Sequence, residues 1–126
     1  MWKKFLGICI SGLLGITRST YGAVLEIKET RKLVLELFTE VYLVAKAAGI
    51  NLNKNIIEKT LASIDTLPYH SNSSLARDVI EGKPSEIEYQ NGTIVRLGEK
   101  YNIPTPVNQF IYECILPMEK KARERK

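Results

Sequence analysis

The residues in this chain with the type and spacing for chemistry lie mostly in its second half. Ser73-Ser74-Leu75-Ala76-Arg77-Asp78 is followed by Gly82-Lys83-Pro84-Ser85-Glu86-Ile87 and then by Asn91-Gly92. The run closes on Pro104-Thr105-Pro106-Val107-Asn108, and Glu86 stands twelve residues after Ser74. A serine hydroxyl can bind a carboxylate or a hydroxyl, and a glutamate can orient and tune a nearby ammonium group. Lys3 and Lys4 at the start of the chain offer such groups. Each residue also has a plain structural reading. Ser74 can cap the helix that follows it, Glu86 can stabilise a helix dipole from the first turn, and paired lysines are common solvated residues. Asn91 is equally well explained as a hydrogen bond within helix packing.

Other chemistries find little support. No Gly-x-Gly-x-x-Gly and no Gly-x-x-x-x-Gly-Lys-Ser/Thr is present, so autonomous dinucleotide or triphosphate binding is not expected. The single histidine, His70, lies in a polar stretch and reads as solvent-facing. Cys9 and Cys114 form no CxxC pair, and with one histidine they make no metal site. Both sit among apolar residues at helical spacing and read as small core side chains.

At 126 residues the chain is one domain's worth, and 44% apolar with 25% charged residues is ordinary for a globular protein. Of the net charge of +4, the segment Glu119 to Lys126 carries five Lys/Arg against two Glu, leaving a nearly neutral body. A basic helix end beside the negative pole of its dipole explains this without nucleic acid, and no aromatics interleave there to stack bases. Lys3 and Lys4 before the apolar run Phe5 to Ile16 imitate a secretory leader, although Arg18 and Tyr21 disturb the expected cleavage region. That run is too short to span a bilayer as a helix.

The elements that must position the polar residues are helical. Residues 2–16 predict an apolar helix with Phe5, Cys9 and Leu13 toward the core, despite Gly7, Gly12 and Gly15. A short helical piece covers Thr20 to Glu26. Val34, Phe38, Val41, Ala45 and Ala48 predict a long helix from about 27 to 48, widened by Leu33, Leu37 and Val44 and stopped at Gly49. Asn53 is the expected cap for a helix over about 54–65, which Pro68 ends. A further helix spans 74–81 and stops at Gly82. Over 86–101 two rules compete: Ser85 and Glu88 have capping-box spacing, whereas Asn91-Gly92 suits a hairpin turn. A lone hairpin with no other strands is marginal, so helix is expected. Thr105 and Pro106 should start the last helix, carrying Val107, Phe110, Ile111, Cys114, Ile115 and Met118, with Pro117 kinking or ending it.

In order and spacing, Trp2-Lys3-Lys4, Ser74, Glu86, Asn91-Gly92 and the Pro-Thr-Pro start resemble the C-terminal domain of ketopantoate reductase, the NADPH-dependent 2-dehydropantoate 2-reductase. The resemblance runs from Trp2 to about Leu116. It implies one all-α domain over residues 1–126, a bundle of about six helices like the C-terminal domains of 6-phosphogluconate dehydrogenase-like reductases. It implies that Lys4 is the catalytic lysine. Hydride transfer to a ketone leaves an alkoxide, which an ammonium group both stabilises and protonates. It implies that Ser74 binds substrate and that Glu86 contacts substrate or the lysine. NADPH belongs to an N-terminal Rossmann domain of the intact enzyme. The chain alone is therefore expected to be an inactive fragment or split-gene product, without cofactor or metal. A small 2-oxo acid, a separate Rossmann domain and a homodimeric copy are the implied partners, in the cytoplasm and without membrane or nucleic acid.

Three positions depart from that family. Asparagines usual four and eight residues after the lysine are Ile8 and Gly12, and a further one is Tyr21. These departures allow a different 2-oxo acid as substrate. Two other readings remain beside the reductase half: a non-enzymatic helical dimerisation or interaction module, and a secreted helical protein with a cleaved leader.

Overall fold

The computed structural model describes residues 2–124, and every regular element among them is helical. In chain order these are α1 (Trp2–Ile8), α2 (Ser11–Thr17), α3 (Tyr21–Glu26), α4 (Lys28–Ala47), α5 (Ile56–Asp65), α6 (Ser74–Ile80), α7 (Asn91–Tyr101) and α8 (Pro106–Glu124). A single 3-10 turn at Ile87–Tyr89 precedes α7. The all-α expectation holds, and the elements outnumber the expected six for local reasons.

The first of these is a break in residues 2–16. The amides of Leu13 and Leu14 both reach the Ile10 carbonyl, at 3.0 and 3.2 Å, so the Cys9 carbonyl loses its helical partner. The Asn91 side chain takes that carbonyl instead, at 3.1 Å. Leu6, Cys9, Ile10, Leu13 and Leu14 are buried at this break, so the leader-like apolar run is core. Phe5 is only half-buried.

Helix α4 runs through the middle of the bundle. Val34, Leu37, Phe38, Val41 and Val44 are fully buried along it, whereas Leu33 remains 37% exposed. The buried stripe is thus narrower than the apolar pattern suggested. Gly49 follows at φ +85°, the left-handed region an L side chain resists, and the Ile50 amide closes back on the Ala45 carbonyl at 2.9 Å. Asn53 does not cap α5. Its side chain accepts from the Asn55 amide two residues on, and the helix begins at Ile56.

The segment expected as one helix over 86–101 is a 3-10 turn followed by α7, and the capping box is not formed. Ser85 is buried, and its amide and hydroxyl both donate to the Glu119 carboxylate of α8, at 2.8 and 3.0 Å. Glu88 is drawn to Arg96 and to the Tyr112 hydroxyl. Asn91-Gly92 opens α7 rather than a hairpin, because Asn91 is wholly buried against its neighbours.

The start of α8 is capped from a distance. The Glu40 carboxylate of α4 accepts the amides of Val107 and Asn108, at 2.9 and 3.0 Å. Thr105 occupies the cap position but contributes its carbonyl to the Gln109 amide. Pro117 neither ends the helix nor divides it, and α8 continues through it to Glu124. Proline has no amide to donate, and here the exposed side of α8 absorbs that loss. Part of the basic tail is therefore helix, with Arg123 paired to Glu119 at 2.6 Å. Arg125 and Lys126 lie outside the described residues. No helix among the described residues is long and apolar enough to cross a membrane.

Candidate functional site

Lys4 stands exposed on α1, on the wall of a groove between α1 and α5. The groove encloses about 360 Å³ between Lys3, Lys4, Gly7 and Ile8 on one side and Lys59, Thr60, Ser63 and Ile64 on the other. One helical turn separates Lys4 from Ile8, so both reach the same groove. The other side of α1 packs Trp2 edge-on to Phe5, with ring centroids 5.7 Å apart, in a separate apolar hollow beside Tyr89.

Ser74 is the first residue of α6, and its capping role falls to its neighbour. The Ser73 hydroxyl accepts the Ala76 amide at 3.1 Å, which leaves the Ser74 hydroxyl exposed and outside the cap. The loop before it is tied to α3: the amides of Tyr21 and Gly22 donate to the carbonyls of Ser71 and Tyr69, each at 3.0 Å. His70 in this loop is exposed and lies edge-on to Tyr69.

Glu86 is exposed immediately before the 3-10 turn, and only its carbonyl takes part in local hydrogen bonding, accepting from Tyr89 and Gln90. Its placement follows from its neighbour Ser85, which Glu119 holds. No ion pair or hydrogen bond joins Lys4, Ser74 and Glu86 to one another among the described residues. All three are exposed, on α1, at the head of α6 and just before the 3-10 turn that precedes α7.

The three departures have physical explanations. Ile8 is half-buried and gives the Lys4 groove an apolar wall. Gly12 is a packing requirement. A Cβ there would lie 2.5 Å from Ile111 Cγ2 and 2.7 Å from Asn91 Oδ1, inside any tolerable contact. Tyr21 is half-buried, and that burial pushes its phenol up, against the lowering by the Ser11 side chain and the Arg77 charge.

A buried polar network lies beneath the end of α1: it contains the helix-packing hydrogen bond expected of Asn91, and also Glu40 and Asn108, whose pairing local spacing does not single out. Asn91 Nδ2 donates to the Cys9 carbonyl and to Asn108 Oδ1, at 3.1 and 2.9 Å. Asn108 Nδ2 donates to the Leu37 carbonyl and to Glu40 Oε1, at 3.2 and 2.8 Å. Glu40 was findable, being the one carboxylate interrupting the apolar stripe between Leu37 and Val44. Nothing in sequence paired it with the start of a helix 67 residues further on. Cys9 is buried and its thiol pushed up by that burial, Cys114 is half-buried, and both thiols are free.

The chain resembles known proteins over nearly its whole length. A family model described as "Ketopantoate reductase PanE/ApbA C terminal" matches residues 1–119. A 2-dehydropantoate 2-reductase of Pyrobaculum aerophilum is 32% identical over 124 residues, covering 98% of this chain and 42% of that protein. The chain thus spans about two-fifths of the length of this curated relative. Among solved structures, a dimeric ketopantoate reductase from Staphylococcus aureus superposes with a TM-score of 0.90 at 24% identity, over 96% of this chain and 43% of that one. A D-mandelate dehydrogenase bound to NADH and anilino(oxo)acetate gives a TM-score of 0.84 at 25% identity, over 97% and 68%.

Proposed function

Since the chain belongs to the ketopantoate reductase family, as its C-terminal helical domain, we propose that it is the substrate-side half of an NADPH-dependent 2-oxo acid reductase of the 2-dehydropantoate type. The observation that carries this reading is the coincidence of Lys4, the residue matching the family's catalytic lysine, with an open groove wide enough for a small acid. In this role the Lys4 ammonium donates a hydrogen bond to the ketone oxygen. It then surrenders its proton as the oxygen becomes an alkoxide, and water restores it. Ser74 and Glu86 bind the substrate or orient the lysine, their side chains being free of the capping duties that would otherwise occupy them.

In this reading NADPH is held by a nucleotide-binding half, on the same or another polypeptide, of the kind that cradles a dinucleotide at a glycine-rich turn between strand and helix. A cytoplasmic location is part of the same proposal, carried by the family resemblance alone.

The test is to join a Rossmann half to this chain, or supply one in trans, and follow NADPH oxidation with 2-oxo acids. Lys4→Ala should lower kcat by about 10²–10⁴-fold, the usual worth of general acid catalysis, whereas Lys3→Ala should act on KM alone. Glu86→Gln should weaken substrate use with stability unchanged within about 0.5 kcal/mol. Equal kcat losses from both lysines would remove Lys4 from its role. A reconstituted protein that binds NADPH yet reduces no 2-oxo acid would make the domain a non-enzymatic interaction module.

A further inference from the structure

The direction of α1 is fixed where it ends. The Cys9 amide still donates to the Phe5 carbonyl at 3.2 Å, so helical bonding runs up to the break. Beyond it the Leu13 amide turns to Ile10, and among the described residues the Cys9 carbonyl is left to the Asn91 side chain. Asn91 has no exposed surface, and its oxygen lies against Gly12 without a hydrogen-bond partner among the described residues. Which way round its amide sits is decided further off. Asn108 Nδ2 gives one hydrogen to Glu40 Oε1 at 2.8 Å and the other to the Leu37 carbonyl at 3.2 Å, and a carbonyl or an ionised carboxylate offers only acceptors. Asn108 therefore turns its oxygen to Asn91 Nδ2, at 2.9 Å, which leaves the second Asn91 hydrogen for Cys9. This relay joins α4, α8 and α7 to the end of α1.

We propose that Asn91 is a positioning residue for Lys4: it holds α1 at the angle that aims the ammonium group, while Asn108 and Glu40 hold Asn91. Lys4 stands five residues before Cys9, about 7.5 Å along the helix axis. A tilt of about 10° at the Cys9 end moves the Lys4 backbone by about 1.3 Å. Misplacing a reacting group by about 1 Å can cost about 10²-fold in rate. A helix of seven residues with Gly7 inside it has little stiffness of its own to resist such a tilt. Asn91 does not line the Lys4 groove, so its effect on turnover travels through the helix. The proposal rests on the reading of Lys4 as proton donor and adds the residue that aims it.

The experiment has two arms. In the 126-residue chain, residual dipolar couplings of the backbone amides report the direction of α1 against α4. Asn91→Ala should tilt α1 by about 10° or more, while α4 and α8 still fit one common frame. In the chain joined to a Rossmann half, Asn91→Ala should lower kcat by about 10–10²-fold with KM kept within about twofold. On a Lys4→Ala background the same substitution should cost less than about twofold, because the lysine it aims is gone. Ile94→Val, a loss of buried volume on the same helix as Asn91, controls for destabilisation and should change neither kcat nor the tilt. Should Asn91→Ala fail to fold, Glu40→Gln at the far end of the relay should give a smaller tilt and a smaller kcat loss in the same direction. An α1 that keeps its direction, or a kcat loss as large without Lys4 as with it, would overturn the proposal. The two readings fail separately. A kcat untouched by Lys4→Ala would sink the proton donor, with the tilt of α1 still assigned to Asn91. An untilted α1 would sink the role of Asn91 even where Lys4→Ala abolishes turnover.

Discussion

Asn91 is wholly buried, its amide nitrogen making two hydrogen bonds while its oxygen has no partner among the described residues. Its amide nitrogen satisfies a carbonyl orphaned by the break between α1 and α2, and also bonds Asn108, while its oxygen fills the notch left by Gly12. Removing the side chain strands both buried acceptors, each costing about 1–3 kcal/mol when left unpaired. Asn91→Ala should therefore destabilise the fold by about 2–4 kcal/mol in urea unfolding. A loss under about 0.5 kcal/mol would mean that the break is held by packing alone. The same geometry explains why the usual asparagine at position 12 is not tolerated here. Two side chains contend for one space, and this chain has given it to the one arriving from α7.

Between elements, the bundle is locked by carboxylates that reach from one helix to the backbone of another. Glu40 of α4 takes the first amides of α8, and Glu119 of α8 takes the amide and hydroxyl of Ser85 before the 3-10 turn. Each brings a negative charge to groups that would otherwise be buried unpaired. The second clamp sits next to Glu86. Glu119→Ala should release residues 84–86, raising amide exchange at Ser85 well above that of α7, and should cost about 2–4 kcal/mol. Unchanged exchange at Ser85 would show that the turn holds itself. In a reconstituted enzyme, loss of this clamp should also weaken substrate use through Glu86, whereas Glu119→Gln, which still accepts a hydrogen bond, should recover part of it.

Across the whole molecule, α4 and α5 are joined at the surface by a two-pronged pair between Arg31 and Asp65, at 3.0 and 2.8 Å. The hydrogen bonds from Arg31 hold the Asp65 carboxyl below its usual range. A carboxyl depressed on folding adds stability above its unfolded pKa of about 3.9, and that contribution is lost as pH falls through the folded value. With the two side chains 37% and 40% exposed, the pair is worth under about 1 kcal/mol after solvent screening. Asp65→Asn should accordingly lower stability slightly at pH 6 and leave it unchanged near pH 2, the difference shrinking in high salt. A larger loss at the acid end would reverse the sign and point to Asp65 being strained by its neighbours.

Much of this was open to reading from the chain. Helical periodicity gave α4, α5 and the Ile111–Ile115 line of α8, because a 3.6-residue repeat of apolar side chains has few other ways to be buried. Phe110 and Met118 of the expected α8 stripe are instead 64% and 38% exposed, the buried line passing through Asn108, Glu119 and Ala122. Gly49 and Gly82, both at positive φ, ended their helices as read, since only the backbone matters there. The order of Trp-Lys-Lys, Ser74, Glu86 and Pro-Thr-Pro identified the family for the same reason that the helices were legible: the signal is local in sequence. What the tertiary structure alone decided lies in pairings between distant segments. Local spacing offers Ser85 to a capping box, whereas Glu119 holds it. The cap that spacing offers to Thr105 is supplied by Glu40, and the apolar pattern of residues 2–16 runs across a break that Asn91 stabilises. In each case a buried carboxylate or amide from another helix outbid the neighbour in sequence. Partners of that kind are fixed by how the helices pack, which no local spacing records.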